Sequence, residues 1–359
     1  MTEFFMDYGL FTAKVITVIL IILLGAIAFA LAVSTRQRPR EAIEIDKINE
    51  KFDNMRDVFE AQILSKDEVK HLAKERKKEA KAEEKKRKQA LKSEGKEPAK
   101  PRLFVLNFNG DMHASAVDHL REAVTALLTF IKPPNQNDTN NEVRDEILVN
   151  LESPGGLVHS YGLAASQLKR IRDRKIPLTV AVDLVAASGG YLMAAMANKI
   201  IAAPFAVVGS IGVLAQVPNI NRLLEKHDID IEQHTAGEYK TTLTLLGKNT
   251  DKARKKFKEE LEDTHVLFKE FVSKQRPQLD IDKLATGEHW YGEQAIDLKL
   301  IDEIITSDDY LLNKSKDTDI FEVTYIINET LSEKLSSFLN DVTESLYLKL
   351  QSFFKKSSF

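Results

Sequence analysis

The chain has 359 residues, no cysteine, and 51 basic against 54 acidic side chains, a formal net charge of -3. Without cysteine there is no disulfide scaffold, no thiolate nucleophile and no cysteine-based zinc site. The near-neutral balance argues against a general nucleic-acid binder, and 43% hydrophobic residues supply a sizeable core for one large domain with appendages, or for two domains.

The N-terminus is the most apolar part. From Val15 to Val33 the sequence reads VITVILIILLGAIAFALAV, inside a run of 21 uncharged residues between Lys14 and Arg36. A bilayer core takes about 20 apolar residues in helix, whereas the apolar stretch of a cleaved signal is only about 7–15. The sequence therefore predicts an N-terminal flank over 1–14 and a retained, single-pass transmembrane anchor over 15–35. Arg36, Arg38 and Arg40 follow it, and by the positive-inside rule they put the bulk of the chain in the cytoplasm.

Residues 36–100 read as a charged linker, helical or flexible. Between Lys66 and Lys100 there are 14 Lys/Arg against 8 Asp/Glu, a net +6, which leaves -9 for the rest of the chain. Few large apolar residues follow Leu72, so the stretch has no core of its own. It reads as a solvated spacer, with attraction to anionic lipid headgroups as the alternative. Ile43, Ile45, Ile48, Phe52, Met55 and Phe59 suggest a weak amphipathic helix at its start.

From Pro101 short β-rich runs alternate with helical ones. Leu103–Phe108, Glu146–Leu151 and Leu178–Val182 read as strands; Ala116–Ile131 and Tyr161–Arg172 read as helices; Ala186–Asn198 is small, apolar and helix-compatible. Ile200–Ala203 and Val207–Val213 are short apolar runs. The alternation predicts an α/β domain over 101–312, with βαβ units on a buried, mainly parallel sheet. A hydropathy window would mark a second span near 200–221, but Pro204, Gly209, Ser210, Gly212 and Gln216 favour buried strands, apolar on both faces. Residues 313–359 read as a C-terminal strand and an amphipathic helix, with Leu331, Leu335, Phe338, Leu339, Val342, Leu346, Leu350, Phe353 and Phe354 at helical spacing. That helix has three possible seats: a membrane surface, a neighbouring protomer or its own domain.

Two glycine pairs follow predicted strands, where open α/β sheets place their ligands. They are Ser153-Pro154-Gly155-Gly156 and Ala187-Ser188-Gly189-Gly190-Tyr191. A serine at a strand-to-helix junction sits at the positive end of a helix dipole. The backbone N–H groups of Gly189 and Gly155 would form a two-donor oxyanion hole. The alternative is ordinary turn glycine with Ser188 as an N-cap. A nucleophilic serine needs a base. The eight histidines form no triad motif, and the Gly-x-Ser-x-Gly elbow is absent. Two candidates remain, His159 and Lys240, the latter in Gly237-Glu238-Tyr239-Lys240-Thr241-Thr242. Burial without a counterion would lower a lysine's pKa and let it accept the Ser188 proton.

In this order and at this spacing, with 52 residues from Ser188 to Lys240, the motifs resemble the signal peptide peptidase A (SppA) family of Ser/Lys proteases, and within it the SohB branch of inner-membrane proteases. Thr286–Ala295 (TGEHWYGEQA) and Leu298–Ile304 resemble its C-terminal signature. The resemblance implies a crotonase/Clp-protease-like spiral of βαβ units. It implies Ser188 as nucleophile, Lys240 as general base, and Gly155 and Gly189 as oxyanion donors. It implies a homo-oligomeric ring whose sites lie between adjacent protomers, and hydrolysis of signal peptides or other extended hydrophobic segments. No metal, cofactor or nucleic acid is implied; a peptide or protein substrate and membrane lipid are. Thr241 departs from the acidic or small residue that follows the lysine in many members. The resemblance puts the catalytic domain on the periplasmic side of the bacterial inner membrane, against the arginines. Two other classes remain open: a crotonase-like acyl-coenzyme A binder and a non-catalytic membrane scaffold.

Overall fold

A computed structural model describes residues 40–94, 100–132 and 145–328, with scattered positions between 9 and 25. The expected anchor lies largely outside these residues, and the expected C-terminal amphipathic helix wholly outside them. Among the described residues no helix is long and apolar enough to cross a membrane. The chain divides into two compact units, Glu44–Thr324 and the two terminal segments together. The first carries all the chemistry discussed below.

The order of elements begins with β1 (Arg40–Lys47), α1 (Ile48–Ile63) and α2 (Lys66–Glu94). Then come β2 (Arg102–Asn109), α3 (Val117–Phe130), β3 (Asp145–Glu152), α4 (Val158–Asp173), β4 (Leu178–Val182), β5 (Val185–Ala187), α5 (Gly189–Ala194), β6 (Lys199–Ala202) and β7 (Val207–Gly209). The chain continues through α6 (Asn221–Glu225), α7 (Asp251–Gln275), α8 (Ile281–Leu284), β8 (His289–Tyr291), α9 (Gly292–Ala295), β9 (Glu303–Ile304), α10 (Ser307–Lys314) and β10 (Asp319–Asn328). Seven strands form the main sheet in the order β1-β10-β2-β3-β4-β6-β9, and β5, β7 and β8 form a second, small one. From β10 to β9 every pairing in the main sheet is parallel, as the strand–helix alternation requires.

The sheet centre is apolar because both faces are covered. All five residues of β4 are buried, as are Leu103 to Leu106 of β2 and Ile147 to Val149 of β3. Helix α3 turns Leu120, Ala123, Val124, Leu127 and Leu128 inward, and α4 turns Tyr161, Ala164, Ala165, Leu168 and Ile171 inward. The expected strands and helices lie at these places. The 200–211 stretch forms β6, β7 and the buried Ile211, so its apolar character serves the core. Beyond it, Leu214 stands 82% exposed.

The first part of the expected linker is built into the domain. Ile43 and Ile45 belong to strand β1, not to a helix. Their i, i+2 spacing is that of a strand. Ile48 and Phe52 of α1 pack on a core cluster that includes Leu103, Val105, Leu148, Ile201 and Ile320. Asn49 fixes that contact with three hydrogen bonds: its amide donates to the Ser315 and Thr318 carbonyls at 3.2 and 3.0 Å, and it accepts from the Ile320 N–H at 2.7 Å. Arg76 of α2 reaches back to Asp57 and Glu60 of α1, joining the two helices.

Two partly buried polar clusters add further ties. Arg276, at 2% exposure, pairs with both carboxylate oxygens of Asp302 at 2.7 and 2.9 Å. Asp302 also accepts the Ile200 N–H at 2.7 Å, which ties the end of α7 to β6. Glu146 accepts from Thr179, Tyr310 and Lys314 at 2.8, 2.6 and 2.7 Å. Burial pushes its carboxyl up, but the hydrogen bonds from Lys314, Tyr310 and Thr179 together outweigh that, so it lies below the ordinary glutamate value.

Removing Asp302 leaves a buried, uncompensated guanidinium. Asp302→Ala is expected to cost about 3 kcal/mol, the low end for a broken buried pair because Asp302 itself is partly exposed; denaturant unfolding measures it. A carboxyl whose folded pKa is depressed contributes stability that is present above its unfolded value, ordinarily 4.5, and is lost as pH falls through the lower folded value. Glu146→Gln is therefore expected to flatten the acid limb of the stability–pH curve below that value, read by thermal unfolding across a pH series.

Candidate active site

The site is built where the two glycine-bearing turns meet. Ser153 closes β3, and β5 runs beside it: the Ser153 N–H donates to the Val185 carbonyl at 2.8 Å, and the Ala187 N–H donates to the Ser153 carbonyl at 3.0 Å. These bonds bring Ser153-Pro154-Gly155-Gly156 alongside Ala187-Ser188-Gly189-Gly190.

The contact is so close that only glycine fits. A Cβ on Gly155 would meet the Ala187 carbonyl oxygen at 2.7 Å, and both the Gly189 nitrogen and the Ser188 Cβ at 2.8 Å. One on Gly190 would lie 2.5 Å from the Ser153 carbonyl oxygen. Gly155 also has φ of 88°, the left-handed region that side chains disfavour.

Ser188 occupies the junction between β5 and α5 with φ 51° and ψ -117°. That conformation is strained for any residue with a Cβ, and such strain concentrates at functional turns. It is a sharp strand-to-helix elbow formed without the Gly-x-Ser-x-Gly sequence that usually announces one. Ser188 is half-buried, and although it precedes α5 its hydroxyl makes no capping hydrogen bond. Its backbone is held from both sides: its N–H donates to the Gly209 carbonyl at 2.8 Å, and its carbonyl accepts from Leu192 N–H at 2.9 Å.

The C-terminal signature explains how Gly209 is held. Strand β8 pairs antiparallel with β7, matching Val208 to Trp290 and Gly209 to His289. The ring of Trp290, the sole tryptophan, lies where a Gly209 Cβ would be, at 2.8 Å. Gly292 fits against the Ala203 carbonyl oxygen, 2.2 Å from its missing Cβ. The signature thus buttresses the strand that receives the Ser188 amide.

Behind the two turns is a buried polar pair with no counterpart in the sequence expectations. Ser153 and Tyr161 are both fully buried. The Ser153 Oγ lies 2.6 Å from the Tyr161 hydroxyl and 3.1 Å from the Gly155 nitrogen, which donates to it. The Tyr161 hydroxyl donates to the Asp111 carbonyl at 2.7 Å. Burial pushes the Tyr161 phenol above its ordinary value, so it remains a proton donor. In the sequence Ser153 stood out only as part of the first glycine-bearing turn, and Tyr161 only as the start of a helix. The hydroxyl of Ser153 is the polar signal that was available.

Both candidate bases are exposed. His159 is exposed in the first turn of α4, and no hydrogen bond joins it to Ser188 among the described residues. Lys240 lies in an exposed stretch of 231–241, its N–H donating to the Gly237 carbonyl at 3.2 Å. Within the single chain it is solvent-exposed, whereas the expectation of a neutral base called for burial. Beside it, a cavity of about 280 Å³ is lined by Thr235, Glu238, Tyr239, Thr242 and Lys252, among others. Among the described residues no cluster of His, Asp and Glu has the arrangement of a metal site.

Two family models match successive parts of the chain: "Peptidase family S49 N-terminal" over residues 3–168 and "Peptidase family S49" over residues 170–320. A "Probable protease SohB" of Haemophilus influenzae is 50% identical over 332 residues, covering 91% of this chain and 90% of that one. The chain belongs to peptidase family S49. A second "Probable protease SohB", from Buchnera aphidicola subsp. Acyrthosiphon pisum, is 42% identical and covers 98% of both chains. A "Putative signal peptide peptidase SppA" of Enterococcus faecium is 30% identical over 208 residues, 56% of this chain and 60% of that one. A solved membrane-bound stomatin-specific protease in complex with a substrate peptide aligns over 68% of this chain and 99% of that one. At 15% identity and a TM-score of 0.38, that likeness is too weak to carry an argument.

In this S49 chain the strain at Ser188 belongs to its backbone and is separable from its hydroxyl. Ser188→Gly is expected to unfold at higher denaturant than Ser188→Ala, by about 1 kcal/mol, because glycine alone relieves the cost of that φ and ψ. Equal stability of the two variants would mean that the turn stores no strain.

Proposed function

We propose that the chain is a serine endopeptidase in which Ser188 attacks the scissile carbonyl and Lys240 of an adjacent protomer takes its proton. The observation that carries this reading is the Ser188 elbow. A strained serine presents an uncommitted hydroxyl beside turns where only glycine fits. Attack by Oγ converts the peptide carbonyl to a tetrahedral oxyanion, and backbone N–H groups are the donors at hand to stabilise it. Gly189 follows the nucleophile directly and supplies one. The Gly155–Gly156 turn supplies the other, with one qualification: the Gly155 N–H already donates to Ser153 Oγ, so an oxyanion would have to compete for it, and the Gly156 N–H is the alternative donor. The lysine returns the proton to the leaving amine, and water then releases the acyl group from Ser188 by the same route in reverse.

The exposed position of Lys240 favours a base shared between protomers. An ammonium in water is a poor base; enclosure by a second chain would desolvate it and favour the neutral amine. The stretch that precedes it in the chain suits such enclosure: Leu214, Val217, Ile220, Leu223, Ile229 and Ile231 are all exposed, and exposed large apolar side chains mark interaction surfaces. A homo-oligomeric ring buries both at once. The Val15–Val33 run fits an inner-membrane anchor, with the peptidase domain on the periplasmic side and extended hydrophobic peptides near the membrane as substrates. Membership of a peptidase family favours hydrolysis over acyl-coenzyme A binding or a scaffold role.

The test is hydrolysis of a fluorogenic hydrophobic peptide by the full-length chain. Ser188→Ala and Lys240→Ala are each expected to lose at least about 1,000-fold in kcat. An equimolar mixture of the two, denatured and refolded together, is expected to regain up to about a quarter of the wild-type rate through sites that draw an intact serine and an intact lysine from different chains. Full activity of either single variant would overturn the dyad, and inactive mixed oligomers would place both residues of a site in one chain.

A further inference from the structure

The buried hydrogen bonds behind the site have only one consistent proton order. The Asp111 carbonyl can only accept, so the single Tyr161 O–H proton is spent on it at 2.7 Å. The 2.6 Å contact between Ser153 and Tyr161 must then be donated by Ser153. With its own proton given away, Ser153 Oγ accepts from the Gly155 N–H at 3.1 Å. The result is a directed chain: Gly155 N–H to Ser153 O–H to Tyr161 O–H to the Asp111 carbonyl. Bonds in such a chain polarise one another, and all the more so with Ser153 and Tyr161 fully buried.

The same tyrosine meets the other turn through its ring. A Cβ on Gly189 would lie 2.4 Å from Tyr161 Cγ, and one on Gly110 would lie 2.5 Å from both the Tyr161 and the Ser153 hydroxyl oxygens. Its hydroxyl therefore sets the Gly155 peptide and its ring seats Gly189, the residue after the nucleophile. The third segment is anchored as well. The Asp111 carboxylate accepts from the His113 and Ser115 N–H groups at 3.1 and 2.9 Å and from the Ser115 hydroxyl at 2.7 Å. The Leu157 N–H donates to the Met112 carbonyl at 2.9 Å.

We propose that Tyr161 and Ser153 are positioning residues for peptide hydrolysis, acting as one hydrogen-bonded unit that holds the Gly155–Gly156 turn in register with the Ser188–Gly189 turn. Neither touches the reacting atoms. They fix the separation between the nucleophile and the backbone donors that meet the oxyanion, so their contribution falls on the transition state and not on substrate binding. The inference rests on the Ser188 reading above.

The test is a double-mutant cycle on the full-length chain with Tyr161→Phe, Ser153→Ala and the double variant, beside Ser188→Ala. Each substitution removes one oxygen and leaves the packing volume nearly intact, and near-wild-type circular dichroism and thermal unfolding identify folded variants. Misplacing reacting groups by about 1 Å costs about 100-fold. Each single variant is expected to lose about 10- to 100-fold in kcat on a fluorogenic hydrophobic peptide, with KM within about 3-fold. A peptide aldehyde, which forms a tetrahedral adduct, is expected to weaken in parallel with kcat. The double variant is expected to lose no more than the worse single one, because the unit is broken once. If Tyr161→Phe does not fold, Ser153→Ala alone decides through the same kcat, KM and aldehyde readings. Unchanged kcat in folded single variants, with Ser188→Ala inactive, would overturn the positioning role and leave the peptidase reading intact. Multiplying losses in the double variant, or losses confined to KM, would also overturn it. Full activity of Ser188→Ala would remove both.

Discussion

The structure depends on one close approach: two turns from neighbouring strands meet with no room for a side chain between them. Ser153 bonds to β5 through both its N–H and its carbonyl, and the missing Cβ atoms of Gly155 and Gly190 would fall within 2.5–2.8 Å of the opposite turn. The rest of the domain keeps those turns in place. Strand β3 of the main sheet delivers one turn and β5 of the small sheet the other, joined by the parallel bridge between Ser153 and Ala186. The small sheet of β5, β7 and β8 holds the far side of Ser188, and Trp290 caps the strand that takes its amide. A methyl group at Gly155 would push Ser188 and the Gly189 N–H away from the first turn, so the constraint is steric before it is chemical.

Much of this was legible in the residues. The strands expected at Leu103–Phe108, Glu146–Leu151 and Leu178–Val182 agree with the structure to within one residue at each end. Uninterrupted apolar runs bounded by Gly, Pro and charge have few other readings. The glycine-rich turns were legible for a similar reason, since two Gly-Gly pairs after two strands mark close backbone approach. What could not be read is what depends on contacts across long sequence distances. Asn49 lies in a stretch that looks like solvated linker, yet its hydrogen bonds to residues 315–320 tie α1 to the domain, and β1 is a strand of the main sheet. The helical reading of Ile43 and Ile45 failed because two isoleucines satisfy a strand as well as a helix; their spacing of two was the better guide.

At the site the division is finer. Ser188 was visible as a serine between small residues, but its φ and ψ were not, because no elbow motif surrounds it. Tyr161 was hidden by its own periodicity: a buried tyrosine on a helix face is indistinguishable from a packing residue until its hydroxyl is seen to bond. Lys240 was expected in a buried setting and stands exposed in the single chain. The residues around it at 231–241 are exposed as well, so no local burial pattern accompanies the lysine.

The place of β10 carries a consequence for the order in which the molecule can be made. It lies between β1 and β2 and pairs with β2 through Ile320↔Leu103 and its neighbours, contacts that span most of the chain. During synthesis the edge of β2 therefore stays open until the ribosome has passed β10. Every residue of the site is translated well before the strand that closes the sheet. Pairings of such long separation form late in folding. The two glycine-bearing turns at 153–156 and 187–190 are thus synthesised more than a hundred residues ahead of the strand that completes the sheet behind them.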